Sequence, residues 1–375
     1  MSWFDFSGQW IASNTNKFPQ FVMDLDRTPE GSKGRAYAIS QNASLPSAVC
    51  NIALKTNKKQ FSQTVFLEPF DAFHGQVLTA RQVKEFFPDS SLPDRFDLQF
   101  ERTSRDEIRL SLNGPPESAS PIILTRSRPP KYSDVKAESG VNSWESFRKE
   151  VSTFAFREFI FRGQQEPFSL QTSFHRTNRK DLVRYLSEDV QQLHHSIAGS
   201  VKHVFNLAIP QDLGAMLSLA QHHGFPTPLL DWSYSPFVAA WFAFSKVSKQ
   251  RMRKATDGDV VRIYCLHRSE LIKFQQFLKL TFTLPHTSLL DALPIENNRA
   301  VPQQGVLMST NIQDVEAHLY NLGQAQKVAL LKAYDIPVGE ADRAMNELAM
   351  MGITRSTLMP GIDSICADLR RSLFG

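Results

Sequence analysis

The sequence predicts an α+β protein in which an all-β unit, a barrel or sandwich, precedes a mixed unit with a helical C-terminal part. Three observations carry that expectation. Up to residue 128 the chain is a run of short alternating segments separated by Gly, Pro, Asn and Asp. After residue 143, apolar residues recur at helical spacing. Between the two lies a polar, proline-bearing stretch, 129–142, that reads as a linker. A length of 375 residues exceeds what one hydrophobic core ordinarily organises, so domains are expected at 1–128 and 143–375.

Each element has a local reason. "FVMDLD", "GRAYAISQ", "SAVCNIALKT", "QTVFLEPF", "RFDLQFERT" and "EIRLSLNG" read as strands of the first unit. In the fifth of these, Phe96, Leu98 and Phe100 share one face while Asp97, Gln99 and Glu101 take the other, as in a half-buried antiparallel strand. Ser143 is placed to cap a helix beginning at Trp144. Helices are expected over 144–154, 179–198, 211–223 and 236–247, the last opened by Pro236. Val261, Ile263 and Cys265 alternate with Arg262 and Tyr264 in a strand over 259–267. The remainder reads as helical over 313–333, 339–351 and a short stretch after "MPGID".

Composition excludes several classes. Hydrophobic residues make up 42% and charged residues 21%, which is globular rather than disordered. A net charge of +4 is too mild to argue nucleic-acid binding by itself. Cys50, Cys265 and Cys366 are far apart and lack metal-ligand spacing, so neither a metal site nor a disulfide framework is expected. The start "MSWFDFSGQW" lacks the basic and apolar parts of a signal peptide, and no run of about 18 apolar residues suggests a membrane span. A cytoplasmic protein is the expectation.

Three stretches could carry chemistry. "FIFRGQ", 159–164, ends an apolar strand in Arg162 and Gly163. An Arg fork beside a glycine suits a phosphate or carboxylate clamp, but on residue types alone pairing to a buried Asp is the commoner reason for such an Arg. "AQHHGFPTPLLDWSYSP", 220–236, places His222, His223, Asp231 and Trp232 within eleven residues. Histidines at a helix C-terminus favour the cationic form, whereas Asp231 could equally be a helix cap and Trp232 a core residue. "QQG", 303–305, could aim an amide at a ligand or simply open a strand. Glycine-rich phosphate loops, GxSxG and HExxH are absent.

Taken in order, "FIFRGQ", "SFHR" at 173–176, "AQHHGFPTPLLDWSYSP", "AAWFAF" at 239–244 and "QQGV" at 303–306 resemble the FRG domain family, over about 140–370. The family's layout is similar to that of ADP-ribosyltransferases, which cleave NAD at the nicotinamide–ribose bond. That resemblance implies Arg162 and Gly163 as the NAD grip, with Arg162 on the diphosphate. Asp231, Trp232 and Ser233 become the middle element, Trp232 stacking on a ring of the ligand, and Gln304 approaches the late position. It implies NAD as substrate, a protein or nucleic-acid acceptor, and a toxin or antiviral effector that could have an inhibitor or antitoxin partner. No Glu stands in the late position, where Glu296 is the nearest, and a neutral Gln cannot act as general base. Asp231 or His223 is then the group that orients or activates. The alternatives are a non-catalytic binding module and a nucleotide or nucleic-acid hydrolase.

Overall fold

The computed structural model describes residues 5–12, 20–40, 42, 44–54, 58–72, 75–90, 95–113, 121–256, 258–274, 283–291 and 293–374. The first unit contains β1 (Gly8–Ala12), β2 (Gln20–Thr28), β3 (Gly31–Ile39), β4 (Ser47–Leu54), β5 (Gln60–Phe66), β6 (Glu68–Asp71) and β7 (Gln76–Val77). Helix α1 (Ala80–Phe86) comes next, then β8 (Arg95–Arg102), β9 (Glu107–Asn113) and β10 (Ile122–Ser127). Among the described residues these strands form one antiparallel sheet in the order β5-β8-β9-β10-β1-β2-β3-β4-β6-β7. The expected alternation holds in β8, where Leu98 and Phe100 are buried and Asp97 and Gln99 are exposed.

One face of the sheet covers a core in which Trp10, Met23, Ile52, Val65, Phe100 and Leu110 meet, and a smaller cluster of Val22, Tyr37, Val49 and Phe70 forms on the other. Of the two forms expected, a barrel or a sandwich, the sheet does not close into the barrel. Strand β4 spends its free edge on β6, pairing Ser47 with Phe70 through Val49 with Glu68. No ladder joins β4 to β5 among the described residues; the Ala53 amide meets the Gln63 side chain at 3.3 Å instead.

Residues 129–142 are not a free tether. Tyr132 bridges Phe168, Ala137 bridges Ala333, and the Ser133 hydroxyl donates to Glu316 at 2.7 Å. The Val135 carbonyl accepts from Arg262 at 3.0 Å. The first sheet is also tied to the loops and helix of the second unit. Buried Asp26 of β2 accepts from the backbone amides of Lys180 and Asp181 and from the guanidiniums of Arg179 and Arg184. Gln9 of β1 donates to the Asn311 carbonyl at 2.7 Å and accepts from the Gln313 amide at 2.9 Å.

The second unit opens with α2 (Trp144–Val151), whose Ser143 cap accepts from the Ser146 amide. It continues with β11 (Phe159–Gln164), α3 (Leu182–Arg184), α4 (Val190–Ile197), α5 (Pro210–His222), β12 (Leu229–Ser233), α6 (Pro236–Phe244) and α7 (Lys249–Arg253). Then come β13 (Val260–His267), α8 (Arg268–Phe274), β14 (Thr287–Leu290), β15 (Gly305–Thr310), α9 (Val315–Gln326) and β16 (Leu331–Pro337). Helices α10 (Ala341–Met350), α11 (Arg355–Leu358) and α12 (Ile362–Phe374) close the chain. The α+β class is as expected, and among the described residues no helix is long and apolar enough to cross a membrane.

Three details differ from the sequence reading. The helix expected over 179–198 is α3 and α4 joined by a π-helical turn, Tyr185–Asp189. The helix expected over 313–333 stops at Gln326, where Lys327 turns left-handed at φ 58°. The chain then enters strand β16, drawn out by its ladder to β13 from Leu331↔Leu266 to Pro337↔Val260. Tertiary pairing has overridden the helical look of "VALLKAY".

The sheet order is β14-β15-β12-β11-β13-β16, antiparallel throughout. Strand β11 pairs with β13 along its whole length, Phe159↔His267 to Gln164↔Arg262, but meets β12 at one pair only, Phe161↔Ser233. Past that point the sheet splits. One face packs Phe161, Ile263 and Tyr334 under α2, α6 and α10. The other packs Ile160, Trp232, Tyr264 and Met308 under α9.

Candidate ligand-binding cleft

The split in the sheet opens into a cleft of about 1120 Å³. Its floor is Phe161 to Gln165, Asp231 to Ser233 stand opposite, and residues of α6 and α10 to α12 form the far wall. The volume lies just above the range that small-molecule sites enclose, about 300–1,000 Å³.

The placement of Arg162 and Gly163 comes from strand alternation. Phe161 and Gly163 point to the α6 face, so Arg162 points to the other. A Cβ on Gly163 would stand 1.8 Å from the Ala239 carbonyl oxygen and 2.8 Å from the Ala243 nitrogen. The glycine therefore has a packing reason: α6 lies directly on the β11 backbone, and only a residue without a side chain fits between them.

The Arg162 side chain spans the split. Its Nη1 donates to the Asp231 backbone carbonyl at 2.6 Å, where a continuous ladder would have supplied a backbone amide. Its Nε is buried with no partner among the described residues. Burial pushes the guanidinium's pKa down; Asp231 opposes that shift, and Arg176 adds to it. The guanidinium is thus a cation whose charge burial disfavours, and an anion bound beside it would relieve that cost.

Asp231 is not ion-paired to Arg162 through its carboxylate. Its Oδ2 accepts from Gln221 Nε2 at 2.6 Å, and Gln221 Oε1 in turn accepts from the hydroxyl of buried Thr227. The Thr227 amide donates to Ser173 at 2.9 Å, so "SFHR" and "QHHGFPTPLLD" form one hydrogen-bonded chain that fixes the carboxylate. Gln221 and Thr227 went unnoticed in the sequence as functional residues. The signal that could have found them is their place inside the same dense motif as Asp231.

The other expected residues divide. Ser233 lies at the cleft, but its hydroxyl donates to the Gln303 carbonyl at 2.7 Å and ties β12 to the loop before β15. Trp232 lines the cleft from within the core; its indole Nε1 is buried and unpartnered among the described residues. His223, the C-cap of α5, is exposed and does not line the cleft; its neighbour His222 does. His222 Nδ1 meets the Ser218 carbonyl at 2.7 Å, and since a carbonyl only accepts, Nδ1 carries the proton and Nε2 is left free. Gln304 is exposed, left-handed at φ 49°, and outside the cleft. Gln303 lines the cleft instead, its amide donating to the Leu358 carbonyl at 2.9 Å and so holding α11 against the mouth. Glu296 is used elsewhere, accepting from the amides of Lys202 and His203.

Lys246, Arg299 and Arg355 also line the cleft, and none forms an ion pair among the described residues. The carboxylates lining it are Asp231 and Asp368, and Asp368 is committed to the Ser356 amide at 2.7 Å. The surface is electropositive, and Trp241 and Phe242 also line it. No group of three His, Cys, Asp or Glu side chains suited to a metal occurs among the described residues.

Residues 157–252 match the family model of the FRG domain. The FRG match begins two residues before β11 and ends within α7, so it contains Arg162, Gly163, Gln221, Asp231 and α6. Gln303 and the helices of the far wall lie beyond it. No curated protein and no solved structure matches the chain.

Proposed function

We propose that the FRG cleft binds NAD and that the protein transfers ADP-ribose from it to a macromolecular acceptor, protein or nucleic acid, as an effector of the toxin or antiviral kind. The observation that carries this reading is Arg162: a half-buried guanidinium at the floor of an electropositive cleft, its Nη1 held by one backbone carbonyl and its buried Nε without a partner among the described residues. The residues present fit a diphosphate-bearing dinucleotide. The orphaned Nε of Arg162 needs an acceptor, and Lys246, Arg299 and Arg355 of the same cleft can share a diphosphate charge.

In this reading Asp231, held by Gln221, orients the acceptor and takes its proton as the acceptor's nucleophile bonds to the ribose carbon and nicotinamide leaves. His222 Nε2 is a second acceptor within the same wall. Ligand binding without transfer is the second reading, and one observation favours it: no glutamate lines the cleft among the described residues.

The test is release of nicotinamide from NAD by the purified protein, with and without cell lysate, beside calorimetric binding of NAD. Release that disappears in Arg162→Ala, with an unchanged melting temperature, supports transfer. Binding without release leaves the second reading. Neither binding nor release sinks both.

A further inference from the structure

Helix α12 is seated with its apolar side outward. Ser364 is buried, and Ala367 and Asp368 turn inward to line the cleft. Ile362, Ile365, Leu369 and Leu373 are 79%, 51%, 53% and 68% exposed. At 3.6 residues per turn these four and exposed Cys366 fall within a stripe roughly 100° wide. Scattered exposed leucines need no explanation, but a stripe repeating at three- and four-residue steps is the seam of a helix that has a partner.

We propose that this stripe is the contact surface for a second copy of the chain, with α12 packed antiparallel on its copy about a two-fold axis level with Cys366. Charge placement selects this occupant. Asp363 and Arg370 are both exposed and lie on the same flank of the stripe. Seven residues, about 10.5 Å of helix, keep them from pairing with each other. In an antiparallel pair the like flanks adjoin in reverse order, so Asp363 meets the partner's Arg370 and the contact is made twice. In a parallel pair unlike flanks adjoin, and neither charge finds the other. An anionic membrane suits the stripe less well, because Asp363 and Arg370 on its edge leave that flank without net positive charge.

Two such helices cover less than the standard interface of about 1,600 Å², so the dimer is a reversible one that forms as concentration rises. It has a consequence for the cleft, since the helix it braces carries Ala367 and Asp368 of the far wall. Cys366 is exposed while Cys50 and Cys265 are buried, so the seam holds its own cross-linking probe.

The experiment is sedimentation velocity of the full chain over a concentration series, with circular dichroism to confirm that each variant is folded. The mass is expected to rise from one chain to two, and Leu369→Lys to remain a monomer. Asp363→Arg is expected to raise the dimer dissociation constant about tenfold, and Asp363→Arg with Arg370→Asp to restore it. A short bismaleimide is expected to join two wild-type chains and to leave Cys366→Ser unjoined. A wild-type chain that stays monomeric throughout, whether or not it binds phosphatidylserine vesicles, overturns the proposal. So does a dimer indifferent to Leu369→Lys or to the charge reversal.

Discussion

Replacing Gly163 by alanine adds one methyl group at the point where α6 lies on β11. The new carbon would sit 1.8 Å from the Ala239 oxygen and 2.8 Å from the Ala243 nitrogen, and both obstacles are helix backbone that cannot swing aside. Restoring ordinary contact requires α6 to lift by about 1.5 Å. That helix buries Val238, Ala239, Ala240, Trp241, Ala243 and Phe244, so lifting it loosens the core shared with Phe161 and Ile263. Overpacking costs about 1–3 kcal/mol when side chains can adjust; against backbone the upper figure is the floor. At about 2–4 °C per kcal/mol for a unit of 150–250 residues, the melting temperature falls by at least about 6–12 °C. Differential scanning calorimetry of Gly163→Ala beside wild type measures it. A variant that melts within about 2 °C of wild type yet loses its ligand would refute the packing account and return the glycine to the ligand.

Two further outcomes are expected. Asp26→Ala leaves the guanidiniums of Arg179 and Arg184 and two backbone amides without their buried acceptor, and should cost about 3–5 kcal/mol in urea unfolding; a loss below about 1 kcal/mol would mean the seam between the units is held elsewhere. Burial, with Lys180 adding to it, pushes the His175 pKa down to about 3. The unfolded chain binds this proton near pH 6.5 and the folded chain does not, so the stability present above that pH drains away as pH falls towards about 3, by about 1.4 kcal/mol per unit. Urea unfolding at several pH values should show His175→Gln with a slope shallower by about one proton, and an unaltered slope would contradict the assignment.

What the sequence could show depended on how local the cause was. Strand β8 was legible because one of its faces meets water, which writes a two-residue alternation into the chain. "FIFRG" was legible as a unit, but the reason for its glycine was not, because the obstacle is Ala239, far along the chain on another element. The choice between His222 and His223, or Gln303 and Gln304, turns on a single residue step. One step at the end of α5, or one left-handed residue before β15, sends the second side chain of each pair away from the cleft. Strand β16 was hidden because its apolar spacing also fits a helix, and only the free edge of β13 decides between them.

The single pair that joins β11 to β12 also bears on what can be inherited as a piece. The long ladder of β11 is made with β13 and that of β12 with β15, and both partners lie outside residues 157–252. Cut out alone, that segment would keep its arginine, its carboxylate and the helix above them, but no sheet to hold them in place. The shared segment is a set of tools without a bench. The frame and the far wall of the cleft come from later in the chain, so two proteins could share the segment and still enclose different molecules.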